Sequence, residues 1–402
     1  MPRLRITGGR MLVENQLAEA DLLIEDGRIA ALGAAAPAYT LGAAAARAFD
    51  ATGLLVLPGI VDIHGDAFER QFQPRPGVDF PAELALAETE RQLLANGITT
   101  AFHGATLSWE PGLRGPEAWR VLLDALDARA WLCDMRIHLR WEAFNLDALD
   151  MALADIAAGR VHLLAFNDHT LSILRKLDYP VTAAKYSERA GMDLAAFRAL
   201  TERVAAREAE VAPALARIAA AARAAGLPMA SHDDDAVATR DNFRAMGARI
   251  CEFPMAEAVG AAARAAGDAV VMGSPNVVRG RSHLGWASAA DLAEAGICSV
   301  LSSDYYYPCL LRAAFILAGR GVLDLPRAWA LVSANPAAAA HLHDRGVIAP
   351  GRRADLVVVD ARGAVPLPVA TIAAGRVAWM DAEGWRRIGD SVPATGRAAA
   401  AG

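Results

Sequence analysis

The sequence predicts an α/β chain, a (β/α)8 TIM-like barrel carrying a small β-sandwich built from both chain ends. Three observations predict it. Between residues 58 and 345, eight short apolar runs alternate with helical patterns, as a parallel sheet with crossover helices requires. The two ends, 1–57 and 346–402, read as short strands and turns, and neither has enough strands for a stable sheet by itself. Polar residues gather where the apolar runs stop, and a barrel would bring those stops together at its C-terminal mouth.

In chain order, residues 3–7, 10–13, 20–25 and 28–31 are apolar pieces, and Asp26-Gly27 between the last two is a hairpin signal. Barrel strands are expected at 58–64, 98–104, 134–142, 160–168, 227–232, 249–254, 269–277 and 297–304, with helices at 82–95, 117–128, 193–225, 240–246, 256–266 and 289–295. The interval 171–226 carries more helix than one crossover needs and is read as an insertion over the barrel mouth, a lid. Strands at 353–360 and 370–374 and a further piece at 375–380 complete the terminal sheet, and 391–402, rich in Ala and Gly, is expected to fray.

Composition narrows the function. The 402 residues are 54% hydrophobic and 21% charged with net charge −6. Such a mildly acidic chain is a poor partner for nucleic acid, whose binding rests on Lys and Arg neutralising phosphates. No run of about 18 uncharged apolar residues suggests a membrane span, and the N-terminus has no signal-like apolar region. Four scattered cysteines (Cys133, Cys251, Cys298, Cys309) read as reduced, buried thiols of a cytoplasmic protein.

The stretch 54–66 organises the chemistry. An apolar run breaks at Pro58-Gly59, resumes, and ends His64-Gly65-Asp66. Alternation along a strand puts Asp62, His64 and Asp66 on one face and Val61 and Ile63 on the other. In the third strand Arg136, His138, Arg140 and Glu142 alternate with Ile137, Leu139 and Trp141. The outer face of a barrel strand lies under helices, so the charged row must face the lumen. The fourth strand ends Asn167-Asp168-His169, the fifth His232-Asp233-Asp234-Asp235, and the eighth Ser302-Ser303-Asp304. Asp234 or Asp235 could instead cap the next helix. Arg279-Gly280-Arg281, after a Pro-Asn turn, suits an anion-binding loop.

Taken together, these segments resemble the amidohydrolase superfamily. Within it they are similar to the phosphonate-metabolism branch, the diphosphatases of α-D-ribose 1-methylphosphonate 5-triphosphate. The likeness runs from about 55 to 360. It is carried by His64-Gly65-Asp66, Pro74-Arg75-Pro76, His138-Leu139-Arg140, Asp168-His169, Lys185-Tyr186-Ser187, Ser231-His232-Asp233-Asp234, Met272-Gly273, Pro275-Asn276, Val278-Arg279-Gly280, Ser282-His283 and Leu301-Ser302-Ser303-Asp304-Tyr305-Tyr306. Gly65 and Ala67 stand where the family usually has Thr and Asn, and Arg70 represents a nearby basic residue. These departures bear on the substrate.

The resemblance implies one or two divalent ions, zinc first with manganese or iron as alternatives. Their ligands would be His64, Asp66, Glu142, His169, His232 and Asp304, with Glu142 bridging and Asp304 also the general base. It implies an anionic small-molecule substrate gripped by Arg140, Lys185, Tyr186, Arg279, Arg281, His283 and Arg75, and a possible homodimer. The reaction implied is cleavage of the α–β phosphoanhydride of a ribose phosphonate 5-triphosphate, releasing pyrophosphate. The alternative is a C–N hydrolase or deaminase acting on a cyclic amide or amidine.

Overall fold

The computed structural model describes residues 3–33, 47–75, 77–280 and 288–390. Eight parallel strands form the barrel in sequence order: Ile60–Gly65, Ile98–Leu107, Asp134–Glu142, Leu163–Asn167, Met229–His232, Ile250–Glu252, Ala269–Gly273 and Val300–Ser302. They are called strands one to eight below. Strand eight returns to strand one through a parallel bridge between Gly65 and Asp304. There the Asp304 N–H donates to His64 O (3.0 Å) and the Asp66 N–H to Asp304 O (2.9 Å). All eight expected strands are present. The seventh is shorter than expected, because Ser274-Pro275 opens a helix, Ser274–Arg279. Proline suits the first turn of a helix, where its missing N–H costs nothing, so the expected Pro-Asn turn is helical instead.

The barrel is filled as the alternation of side chains demands. Ile137, Leu139 and Trp141 join the core beneath the outer helices. A second layer, in which Val61, Ile63, Phe102, Leu163, Ala165, Ala230, Ile250, Val271 and Val300 meet, fills the lumen. Strand one breaks the expected rule. Val61 and Ile63 face inward, so Asp62 faces the other way. The pairing with strand two shifts register between Asp62 and Gly65, and this bulge re-aims the following side chain. His64 thereby enters the lumen, while Asp62 does not share its face.

The expected insertion is smaller than 171–226. Helices Thr170–Lys176, Pro180–Ala190 and Leu194–Ala205 carry their own core of Ile173, Leu177, Ala183, Ala190 and Phe197. The next helix, Glu208–Ala224, packs Ala214, Leu215, Ile218, Ala219 and Ala222 into the main barrel core. It is the crossover helix of the barrel. The three-helix insertion is fixed by the Trp109 indole N–H on Thr170 Oγ1 (2.8 Å) and by an ion pair of Arg189 with Glu110.

Among the described residues, the two chain ends build one branched sheet of nine strands. Its main path runs Arg376–Met380, Leu367–Ala373, Leu356–Asp360, Leu55–Pro58, Leu4–Val13, Gln16–Glu25, Arg28–Leu32, with Arg47–Asp50 and Ile388–Asp390 on a branch. The pieces expected at 3–7 and 10–13 are one strand, irregular between Ile6 and Gly9. A Cβ on Gly9 would come within 2.8 Å of Ala51 and 2.9 Å of Val56, so only glycine allows that approach. Asp26 and Gly27 both have positive φ, as a tight hairpin needs. The sheet is joined to the barrel by Trp329 Nε1–H donating to Pro58 O (3.0 Å) and Thr371 Oγ1–H to Leu94 O (2.7 Å). Arg345 adds a buried link, reaching Asp134 (2.6 Å) and lying 4.0 Å from Asp355. The expected frayed tail, 391–402, lies outside the described residues.

Candidate metal centre

At the C-terminal ends of the strands, imidazoles and carboxylates converge. His64 Nδ1 lies 3.1 Å from Glu252 Oε2, and His138 Nε2 lies 3.7 Å from the same oxygen. The His64 ring is 5.0 Å from His138 and 5.2 Å from His232, centroid to centroid. On the far side of His232, its Nδ1 is 3.2 Å from Asp233 Oδ2, which is 3.6 Å from His169 Nε2. Two groups of potential ligands result among the described residues: His64, His232 and Glu252, and His169, His232 and Asp233.

The first group fits a cation on its own evidence. His64 Nδ1 and both oxygens of Glu252 are buried without a hydrogen-bond partner, because the close approaches are off-axis, and His138 Nε2 and His232 Nδ1 are in the same position. Buried polar atoms are nearly always satisfied, so orphaned imidazole and carboxylate atoms of His64, His232 and Glu252, which can come within 4.8 Å of one another, fit a cation. Burial, reinforced by Arg140, holds the His64 pKa well below the ordinary value, and burial lowers His138 to about 3. Both are neutral imidazoles, the form that binds metal.

Around these groups lie the other predicted residues. Glu142 accepts from the N–H of His169 (3.1 Å) and from Thr170 Oγ1 (2.8 Å), and its Oε2 is 3.3 Å from His169 Nδ1. It orients His169 and belongs to neither group of three. Burial opposes protonation of His169, but its bonds to Asp233 and Glu142 outweigh this and raise its pKa to about 9. Burial, then the charge of Asp66, raises Asp304 to about 7. Arg140, 7% exposed, reaches between strands: its Nη2 is 3.2 Å from His232 Nε2 and its Nη1 3.6 Å from Asp66 Oδ2. Asp62 lies on the opposite side of strand one, accepting from Ser303 N–H (3.1 Å) and Ser303 Oγ (2.5 Å). A Cβ on Gly65 would stand 2.8 Å from both Asp62 Oδ2 and Ser303 Oγ.

Among the described residues, the expected substrate-binding candidates other than Arg140 make none of these contacts. Arg279 is exposed at the end of its helix, donating to the Tyr305 hydroxyl (3.3 Å). Arg75 and Lys185 are exposed, and Tyr186 stacks on Phe197 in the core of the three-helix insertion. Arg281 and His283 lie outside the described residues. Arg70 donates to Tyr305 O. Neither expected cap holds: Asp234 accepts from Ser231 Oγ (2.5 Å) and Asp235 from Thr239 Oγ1 (2.9 Å), and Ala236 is the N-cap.

Sequence reasoning passed over Glu252 and Asp233. Each carried a signal, an acidic residue closing an apolar strand and an acidic residue directly after the ligand-like His232. The residues that leave these strand ends are in left-handed backbone: Asp233 (φ 59°), Phe253 (φ 51°) and Asp304 (φ 56°). Such strain in non-glycine residues clusters at functional sites. Phe253 uses it to set its ring against His64 and His232, 4.9 and 5.2 Å away.

Comparison with known proteins gives the family. Residues 55–378 match the model of the Amidohydrolase family. The chain is 32% identical, over 89% of its length and 95% of the relative's, to alpha-D-ribose 1-methylphosphonate 5-triphosphate diphosphatase of Escherichia coli strain K12. Among solved structures it resembles dihydropyrimidinase from Brevibacillus agri (TM-score 0.60, 13% identity, covering 94% of this chain and 95% of that one). It also resembles 5-methylcytosine deaminase from Klebsiella pneumoniae (TM-score 0.61, 19% identity, 94% and 97% covered). At such identities these likenesses speak to the fold, a barrel with a sheet from the chain ends. The family match and the E. coli relative decide the rest: the chain belongs to the amidohydrolase family, in the branch that contains that diphosphatase.

Proposed function

We propose that this chain is a metal-dependent diphosphatase that cleaves the α–β phosphoanhydride of a ribose phosphonate 5-triphosphate and releases pyrophosphate. The observation that carries the reading is the meeting of orphaned, buried His64, His138, His232 and Glu252 atoms at the barrel mouth, in a chain whose E. coli relative matches along nearly its whole length. His64, His232 and Glu252, or His169, His232 and Asp233, would hold the ion, with zinc the first choice and manganese or iron the alternatives. When bound, a divalent ion supplies Lewis-acid polarisation and lowers the pKa of water toward ~7.

The chain's own residues do the remainder. Asp304, with a pKa raised to about 7, accepts at its carboxylate the proton of the attacking water. A base poised near the working pH is the efficient one. Glu142 fixes the ring of His169 through their 3.3 Å contact. Charge developing on phosphoryl oxygens needs fixed cations, and Arg279 at the end of its helix, with Arg281, is the source assigned here.

The test is pyrophosphate release from ribose 5-triphosphate phosphonates by protein loaded with each metal in turn. Metal-dependent pyrophosphate supports the reading. Ammonia or ring opening from a cyclic amide or amidine, with no pyrophosphate, replaces it by the C–N hydrolase.

A further inference from the structure

Thr170 opens the three-helix insertion and is fully buried between an indole and a carboxylate. Trp109 Nε1 lies 2.8 Å from Thr170 Oγ1, which lies 2.8 Å from Glu142 Oε1. An indole nitrogen only donates, so the threonine oxygen accepts from Trp109 and sends its own proton to Glu142. Hydrogen bonds in such a chain polarise one another. The backbone N–H groups of His169 and Thr170 reach the same carboxylate oxygen at 3.1 and 3.3 Å. Glu142 Oε2 faces Nδ1 of His169 at 3.3 Å, and Nε2 of that ring is 3.6 Å from Asp233 Oδ2. An ion taking Nε2 leaves the ring proton on Nδ1, where Glu142 accepts it.

The far end of this chain of bonds lies in the loop that leaves strand two, and that loop holds all three insertion helices. Thr170 begins the first, Thr170–Lys176. Glu110, beside Trp109, pairs with Arg189 of the second, Pro180–Ala190. The Trp109 ring lies 5.9 Å from Phe197 of the third, Leu194–Ala205, centroid to centroid. A shift of the insertion therefore acts on the same hydroxyl that fixes Glu142.

We infer that Thr170 and Trp109 are positioning residues, and that through Glu142 they make the ion affinity of His169 depend on where the insertion sits. The inference rests on the metal-hydrolase reading, but its test needs no substrate. Full-length protein is stripped with a chelator, and its Zn²⁺ affinity is measured by competition with a chromogenic chelator, beside a thermal melt. Thr170→Val keeps the shape and loses the hydroxyl; it should weaken Zn²⁺ binding by about 10–100-fold, the range for a group that orients a metal ligand. Thr170→Ser, which keeps the hydroxyl, should restore wild-type affinity. Trp109→Phe keeps a ring against Phe197 without the N–H and should weaken binding less than Thr170→Val. The double variant Trp109→Phe/Thr170→Val should be no weaker than Thr170→Val alone, because Trp109 acts through Thr170. Wild-type affinity in Thr170→Val or in Trp109→Phe overturns the inference even where the melting temperature falls, since Glu142 then only closes the first turn of a helix. A wild type that binds no Zn²⁺ overturns the metal-hydrolase reading itself, and the inference with it.

Discussion

Replacing Arg240 by Met should weaken the frame that holds strand five. Arg240 is 1% exposed and binds Asp268 Oδ2 through Nε (3.3 Å) and Nη2 (3.0 Å), Ser231 Oγ (2.5 Å) and the carbonyl oxygens of Ile250 (3.3 Å) and Ala248, with Asp234 at 3.7 Å. Methionine fills much of the space but returns none of these donors, leaving buried carboxylates short of a partner. Breaking a buried pair costs about 3–5 kcal/mol. Arg244 still holds Asp268 Oδ1 at 3.2 Å, so the lower end, about 3 kcal/mol, applies. With an unfolding entropy of about 2.1 cal/mol/K per residue over 402 residues, the melting temperature should fall by roughly 3–4 °C. Circular dichroism melts at one fixed scan rate measure it. Adding Asp268→Asn should recover part of the loss, since it removes a stranded charge and the two sites are coupled. A fall below about 1 °C, or strictly additive effects in the double variant, would refute the reasoning.

Three further predictions concern the site and its surroundings. Asp304→Asn should keep the fold but lower kcat by roughly 10²–10⁴, the usual share of a positioned acid or base; near wild-type turnover removes Asp304 from the proton-transfer role. Gly65→Ala should force apart the Asp62–Ser303 contact and cost about 1–3 kcal/mol, the range of overpacking, visible as a lower melting temperature together with reduced turnover. His103 is buried against Phe68, 5.0 Å between ring centroids, and burial lowers its pKa to about 4. The unfolded chain, with His near 6.5, then binds the extra proton. Stability from this site is intact above that pH and falls as pH drops toward 4, by at most ~3 kcal/mol. His103→Met should flatten that part of the acid-unfolding curve, and an unchanged curve would contradict the assignment.

Some of this molecule was written in its linear order. Barrel strands and helices alternate at spacings set by local periodicity, and Asp26-Gly27 turns as its residue types dictate. The charged row of strand three could face only the lumen, because Ile137, Leu139 and Trp141 had to meet helices. His64, His169 and His232 were visible as candidate ligands because imidazole at a strand end in a barrel has one place to look.

The tertiary structure decided the rest, for reasons that act between segments far apart in sequence. A bulge against strand two, invisible in a single strand, put His64 in the lumen and left Asp62 to Ser303, 241 residues away. Helix Glu208–Ala224 was assigned to the barrel by what its apolar face touches. Glu252 became a candidate ligand only when folding brought it within 3.1 Å of His64. Arg140 acquired its place from the groups around it: no pattern in strand three says that its guanidinium meets Asp66 and His232. Local residue types determine which elements form. The distances that turn those elements into a site depend on register and closure, and these are settled only when every strand is in place.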